Sequence, residues 1–232
     1  MTCLFCSFLA SSLHSETLVF DDFNDGSFRD NEPARWTTVF NAKPQAIDGD
    51  VHLPTTQCCP GFRWSDSIDG DVSIRTQFRL ESGSFGLATK FGGGDGNDAY
   101  YWDLVTDGHL VFLARVDGTE YYHNTDVIAD RSNQDEDYVM QLDVVDNHVT
   151  GWFWTESIAP PAEPQLDFEL DHPLIDGGFA GVYSTGPVTL RYIHIADSPI
   201  PVPEPSAAAI ALTGLVGISL VRKRRGFWPW AL

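Results

Sequence analysis

Cysteine is nearly missing from this chain, and the four present are poorly placed for cross-linking: Cys3, Cys6, Cys58 and Cys59. A small disulfide-built scaffold is therefore excluded. Cys58 and Cys59 are adjacent, which leaves either a vicinal disulfide or a pairing between chains in an oxidising compartment. No His or Cys stands near them at ligand spacing, which argues against zinc. Positive charge is the second shortage, with 14 Lys and Arg against 33 Asp and Glu. Only Glu204 among the acids, but Arg222, Lys223, Arg224 and Arg225 among the bases, lie outside residues 16–201, so that stretch carries a net −22. So acidic a body is a poor partner for nucleic acid or anionic lipid surfaces. A sustained 3.6-residue apolar period is the third absence, since none occurs before the C-terminal tail.

What is present divides the chain into four parts. Residues 1–15 hold a short apolar stretch (Leu4, Phe5, Phe8, Leu9, Ala10, Leu13) followed by small residues, compatible with a signal peptide cut near Ser15, although no Lys or Arg precedes it. Residues 16–197 are the body, long enough for one domain with a sizeable core. Residues 198–205 are a proline-rich linker that ends in Pro203-Glu204-Pro205. Residues 206–232 begin with an uncharged run and close on the basic cluster. Ala207 to Val221 would span about 22 Å as a helix, slightly short of a bilayer crossing. A buried C-terminal helix is the alternative, but a core helix carries a polar stripe and this run has only Ser206, Thr213 and Ser219. As a transmembrane segment stopped by Arg222 to Arg225, it would put Leu232 in the cytoplasm and the body outside.

The Pro-Glu-Pro motif, the apolar span and the terminal basic cluster together resemble the PEP-CTERM sorting tail of Gram-negative envelope proteins. That resemblance implies an exosortase partner, inner-membrane residence before processing, and release or attachment at the cell surface, where exopolysaccharide is a frequent companion. Such tails normally end close to the basic cluster. Here Gly226 to Leu232 follow it, with Trp228 and Trp230 placed for the membrane interface.

The body reads as strands throughout. Val72, Ile74, Phe78 and Leu80 alternate with Ser73, Arg75, Gln77 and Arg79. Phe85, Leu87 and Phe91 stand opposite Gly86, Ala88 and Lys90, and Tyr138, Met140, Leu142 and Val144 opposite Gln141 and Asp143. Further runs cover 99–106, 110–116, 119–127, 149–155 and 166–170, and Asp107-Gly108, Asp117-Gly118 and Asp146-Asn147 mark turns between them. This spacing predicts an all-β, antiparallel two-sheet sandwich. Leu18 to Asp25, Trp36, Ile47 to Leu53, Gly178 to Tyr183 and Val188 to Ile195 resemble the opening and closing strands of concanavalin A-like lectin/glucanase domains of the laminin G-like type. The resemblance implies a jelly roll whose first and last strands pair, with Phe20 and Phe23 near Leu190 to Ile195. An immunoglobulin-type sandwich is the runner-up, at about half the length of this body.

For catalysis, glucanases of that superfamily carry Glu-x-Asp-x-x-Glu on one strand, which this sequence lacks; Glu136-Asp137 and Glu169-Leu-Asp171 have no partner at the required offset. Neither a Gly-x-Ser-x-Gly elbow nor a zincin motif occurs. Sugar recognition fits better, because aromatic faces supply apolar area while planar polar groups match ring hydroxyls. Arg75, Gln77, Lys90, Tyr101, Asp103, Arg115, Gln141 and Asp143 fall opposite the inferred core and are the candidates, beside the aromatics of 99–103 and 151–154. The plainer reading of Tyr101, Trp152 and Trp154 is that they cover a sheet. Calcium is a possible cofactor at Asp95, Asn97 and Asp98 or at Asp21, Asp22 and Asp25; simple solvation of the acidic loops is its counterpart. The expected function is non-catalytic binding of carbohydrate or matrix polysaccharide, with a glycoside-active enzyme or a ligand-free surface protein as alternatives.

Overall fold

Residues 16–28, 35–39, 42–54, 60–92, 98–129, 135–172 and 175–203 are described by a computed structural model. In chain order the strands are β1 (Thr17–Asp21), β2 (Trp36–Val39), β3 (Gln45–Ile47), β4 (Asp50–Leu53) and β5 (Gly61–Trp64). They continue as β6 (Val72–Leu80), β7 (Phe85–Phe91), β8 (Ala99–Leu104), β9 (His109–Val116) and β10 (Thr119–Ile128). The last five are β11 (Tyr138–Val145), β12 (His148–Thr155), β13 (Leu166–Glu169), β14 (Phe179–Ser184) and β15 (Val188–Ala196). One sheet runs β13-β12-β11-β6-β15-β4-β3, with β1 also on β15; the other runs β10-β9-β8-β7-β14-β5-β2. Every pairing is antiparallel. The all-β two-sheet sandwich is as expected, and the apolar helix proposed for 206–232 lies outside the described residues.

The core forms where period-2 apolar positions of both sheets meet. Ile74, Phe78, Leu142 and Ile195 from the first sheet and Phe85, Leu87, Trp102 and Phe112 from the second are all buried, and Phe78 stacks on Phe85 at 4.0 Å between centroids. Asp48-Gly49 and Asp117-Gly118 have positive φ at both residues, the geometry a two-residue hairpin needs. β1 pairs with β15, setting Phe20 opposite His194, as the end-strand resemblance implied; Phe23 is fully buried.

Two bulges change which residue faces where. Between Leu190 and Tyr192 one extra residue enters β15, so that Leu190 and Ile193 both reach the core although three positions apart. In β7, Lys90 has φ 54°, and the register with β14 slips between Phe179 and Gly181. Lys90 therefore leaves the outward row of Gly86 and Ala88 expected for it. Its ammonium bonds the Gly70 carbonyl, in a pocket shared with Asp69, Asp71, Asp146 and Asp176, and Phe91 takes its place on the outer face.

The linker also differs from expectation. Residues 197–203 do not stand off the domain but cross the outer face of the first sheet. Arg75 donates to the Ile200 and Pro201 carbonyls (3.0 and 2.8 Å), Gln141 Nε2 donates to Ile200 O (2.8 Å), and Ile200 N donates to Ser73 Oγ (3.2 Å). Ile200 is buried beneath this clasp.

Candidate functional site

The candidate residues fall on opposite sides of the sandwich. Arg75, Gln77, Gln141 and Asp143 project from β6 and β11 of the first sheet, with cross-strand register Arg75–Gln141 and Ser73–Asp143. Arg75, Gln141 and Asp143 form a closed network rather than an open site. Arg75 donates to Gln141 Oε1, and Gln141 donates to both Asp143 oxygens at 2.9 Å. Thr150 and Ser73 also donate to Asp143, and Gln77 reaches Asp137 at 3.3 Å. Burial pushes the Asp143 carboxyl up despite these donors, and burial also lowers the Arg75 guanidinium. With 197–203 on top, Arg75, Gln141 and Asp143 are buried within the fold, whereas Gln77 stays half-exposed beside Asp137.

Tyr101, Asp103 and Arg115 lie together on the outer face of the second sheet. Its register places Leu113, Tyr101, Ala88, Gly181 and Arg63 in one row across β9, β8, β7, β14 and β5. The neighbouring row is Val111, Asp103, Gly86, Tyr183 and Gly61. Gly86, Ala88, Gly181 and Gly61 thus make a low lane between taller side chains, and a depression of about 210 Å³ opens there, lined by Tyr101, Tyr183, Arg63, Arg115, Phe91 and Leu113 among others. Only glycine fits at position 86. A Cβ would stand 2.6 Å from the Tyr183 ring and closer still to Asp103.

Over that glycine, Tyr183 donates its hydroxyl to Asp103 Oδ1 at 2.5 Å, and the Tyr101 and Tyr183 rings meet edge to face at 5.6 Å. Desolvation raises the Asp103 carboxyl to about 7, against the pull of the Tyr183 hydrogen bond. Arg115 is paired with Glu120, which also accepts from the Tyr122 hydroxyl at 2.6 Å. Arg63 sits over the Phe179 ring, with Cζ 3.3 Å from the centroid. Sequence reasoning missed Arg63, whose strand is only four residues long, and Tyr183, whose strand was recognised by resemblance without its outward face being read. The signal that was available is Gly181-Val-Tyr183, a glycine-aromatic alternation opposite Gly86.

The acidic loops are occupied with their own turns. Asp21 accepts from Phe23 N (2.9 Å) and from Trp36 Nε1 (2.6 Å), Asp22 from Asn24 N and Nδ2, and Asp25 from Ser27 N. Asp98 accepts from Asp117 N at 2.7 Å. Among the described residues no group of three or more His, Cys, Asp or Glu is arranged to hold a metal. Asp95 and Asn97, the Cys58–Cys59 pair, Glu204, Pro205 and the basic cluster 222–225 lie outside the described residues; Pro203 is the last residue within them.

No protein-family model matches the chain, and no curated protein matches it in sequence. Solved structures do match in fold. A carbohydrate-binding module, CBM66, from Bacillus subtilis superposes with a TM-score of 0.52 at 12% identity, covering 68% of this chain and 92% of that one. A legume lectin-like domain from Entamoeba histolytica gives 0.54 at 11%, over 71% and 91%. A beta-1,3-glucanase from Mycobacterium marinum gives 0.52 at 9%, over 78% and 98%. At such identities the likeness concerns architecture alone. The chain has the antiparallel sandwich fold that lectin-like domains, carbohydrate-binding modules and some glycosidases share.

Proposed function

We propose that this protein binds carbohydrate, without turning it over, in the depression on the outer face of the β10–β2 sheet. The observation that carries this reading is the glycine-alanine lane flanked by Tyr101 and Tyr183. It gives a saccharide ring room to lie flat against aromatic surface, with Arg115 in reach of its hydroxyls and the Asp103 carboxyl behind the lining, bonded to Tyr183. The fold is similar to those of a carbohydrate-binding module and a legume lectin-like domain, which supports the same reading. Hydrolysis needs a second carboxyl about 5–5.5 Å from the first in a retaining enzyme. Glu120 is opposite Arg115, which is opposite Ala99, so it sits two strands across and four residues along from Asp103, about 13 Å in the strand direction alone.

The decisive experiment is a glycan screen of the purified protein with and without calcium, beside Tyr101→Ala and Asp103→Ala. Binding that disappears in both variants is expected; turnover of a polysaccharide would replace this reading with an enzymatic one. We further propose that the chain is exported, held in the inner membrane by 206–232 and processed by an exosortase at Pro203-Glu204-Pro205 for delivery to the surface, beside exopolysaccharide. An epitope after Leu232 should be lost from the mature protein, and an uncut cytosolic product would overturn that assignment.

A further inference from the structure

The lining of the depression is not neutral. Arg63 projects from β5 into it and is half-buried, and its Nη1 is fully buried with no acceptor. Among the described residues the Arg63 side chain makes no hydrogen bond and no ion pair. Its one close partner is the Phe179 ring beneath it. Burial accordingly lowers its affinity for the proton. The other arginines that are at least half-buried do have polar partners: Arg79 and Arg191 share Asp137, Arg115 has Glu120, and Arg75 has the Gln141–Asp143 network. A buried guanidinium nitrogen without an acceptor is costly to keep unless something else satisfies it. No carboxylate stands directly across the strands from it either, since its register neighbours are Thr37 and Gly181.

We infer that the ligand of this depression is an acidic saccharide, whose carboxylate or sulfate is received by Arg63 while a neighbouring ring lies against Tyr101. This rests on the carbohydrate-binding reading above and adds the charge of the sugar. The dimensions agree. Arg63 and Tyr101 are in one cross-strand row with β14 and β7 between them, three strand spacings or about 14 Å apart. That span takes more than one ring, so the charged and the stacked residue would be neighbours along a chain. A planar guanidinium suits a carboxylate or sulfate in bidentate contact, and with Nη1 buried the fork offered to the depression is Nε and Nη2. Asp103 does not oppose this, because it belongs to the other end of the lane and shares the Tyr183 proton there.

The test is titration calorimetry on the whole protein in about 0.15 M salt, where a Debye length near 8 Å screens the general acidity of the body. Oligogalacturonate is compared with its methyl ester, and a sulfated oligosaccharide with its unsulfated parent, so that the two sources of negative charge are separated. At least one charged sugar should bind about ten-fold more tightly than its neutral counterpart. Arg63→Gln should abolish that gap, and Arg63→Lys should restore only part of it. A charged and a neutral sugar bound equally, with Tyr101→Ala still destroying binding, would overturn the charge assignment and leave the carbohydrate reading standing. No binding of any of the four would overturn both.

Discussion

Tyr183 and Asp103 meet across Gly86, hydroxyl to carboxyl at 2.5 Å, although 80 residues separate them in sequence. Their strands flank β7, and the absent side chain at position 86 lets them touch over its backbone. The contact places an unusually weakly acidic carboxyl against Tyr183, which lines the proposed binding site.

That carboxyl should be visible in the pH dependence of stability. Its folded-state pKa of about 7 exceeds the ordinary 3.8, so the folded protein holds a proton that the unfolded chain has released between those values. Stability therefore falls as pH rises through that window, by at most about 4 kcal/mol for three pKa units. Urea unfolding at pH 5 and pH 8 should show a smaller fall for Asp103→Asn than for the parent; identical slopes would count against the assignment.

Gly86→Ala inserts a methyl group against the Tyr183 ring and Asp103. The ring must swing away, at a cost of about 1–3 kcal/mol for overpacking. Thermal unfolding should record the loss, and glycan binding should fall much more than stability because the lane itself is blocked.

Ile200 belongs to a segment that its sequence marks as a linker, yet it is only 4% exposed. Ile200→Ala is expected to destabilise the domain by about 2–4 kcal/mol, as for a core position. A change below about 0.5 kcal/mol in denaturant unfolding would mean that 197–203 does not rest on the sheet in solution.

Asp137 joins strands that sequence cannot join. It accepts from Arg79 Nε at 2.7 Å and from Arg191 Nε at 3.0 Å, and Arg191 also pairs with Asp50. Although burial pushes the carboxyl up, the two guanidinium hydrogen bonds hold it below its ordinary range. Its contribution is present above the unfolded-state pKa near 4 and disappears as pH falls through the lower folded-state value. Asp137→Asn should cost about 1–3 kcal/mol at pH 7, and the difference from the parent should close in acid.

The strand pattern was readable wherever one face is apolar and the other polar. β6, β8, β9, β11 and β12 were recovered to within a residue or two because burial on one side imposes a period of 2. β2 and β5 were not recognised as strands, since four residues provide too short a pattern. Alternation assigned Ser73, Arg75, Gln141 and Asp143 correctly to an outer face. It did not show that residues 197–203 cover that face, because a proline-rich stretch looks the same whether it packs or stands free. Lys90 was misplaced for a different reason: a single positive φ inverts the alternation, and lysine is not a residue that advertises one.

By itself the sequence determined the fold class and the acidity of the body, and it also marked which strand positions point away from the core. These are local or summed properties, carried by spacing and composition. Which outward residues share a face was decided only by tertiary structure. Strand order is set by long-range pairing, and it sent Arg75 and Gln141 to one side of the sandwich and Tyr101 and Asp103 to the other. The same pairing brought Tyr183 and Arg63 to the second group from strands far away in the chain, because a β-sheet assembles its surface across strands and not along them.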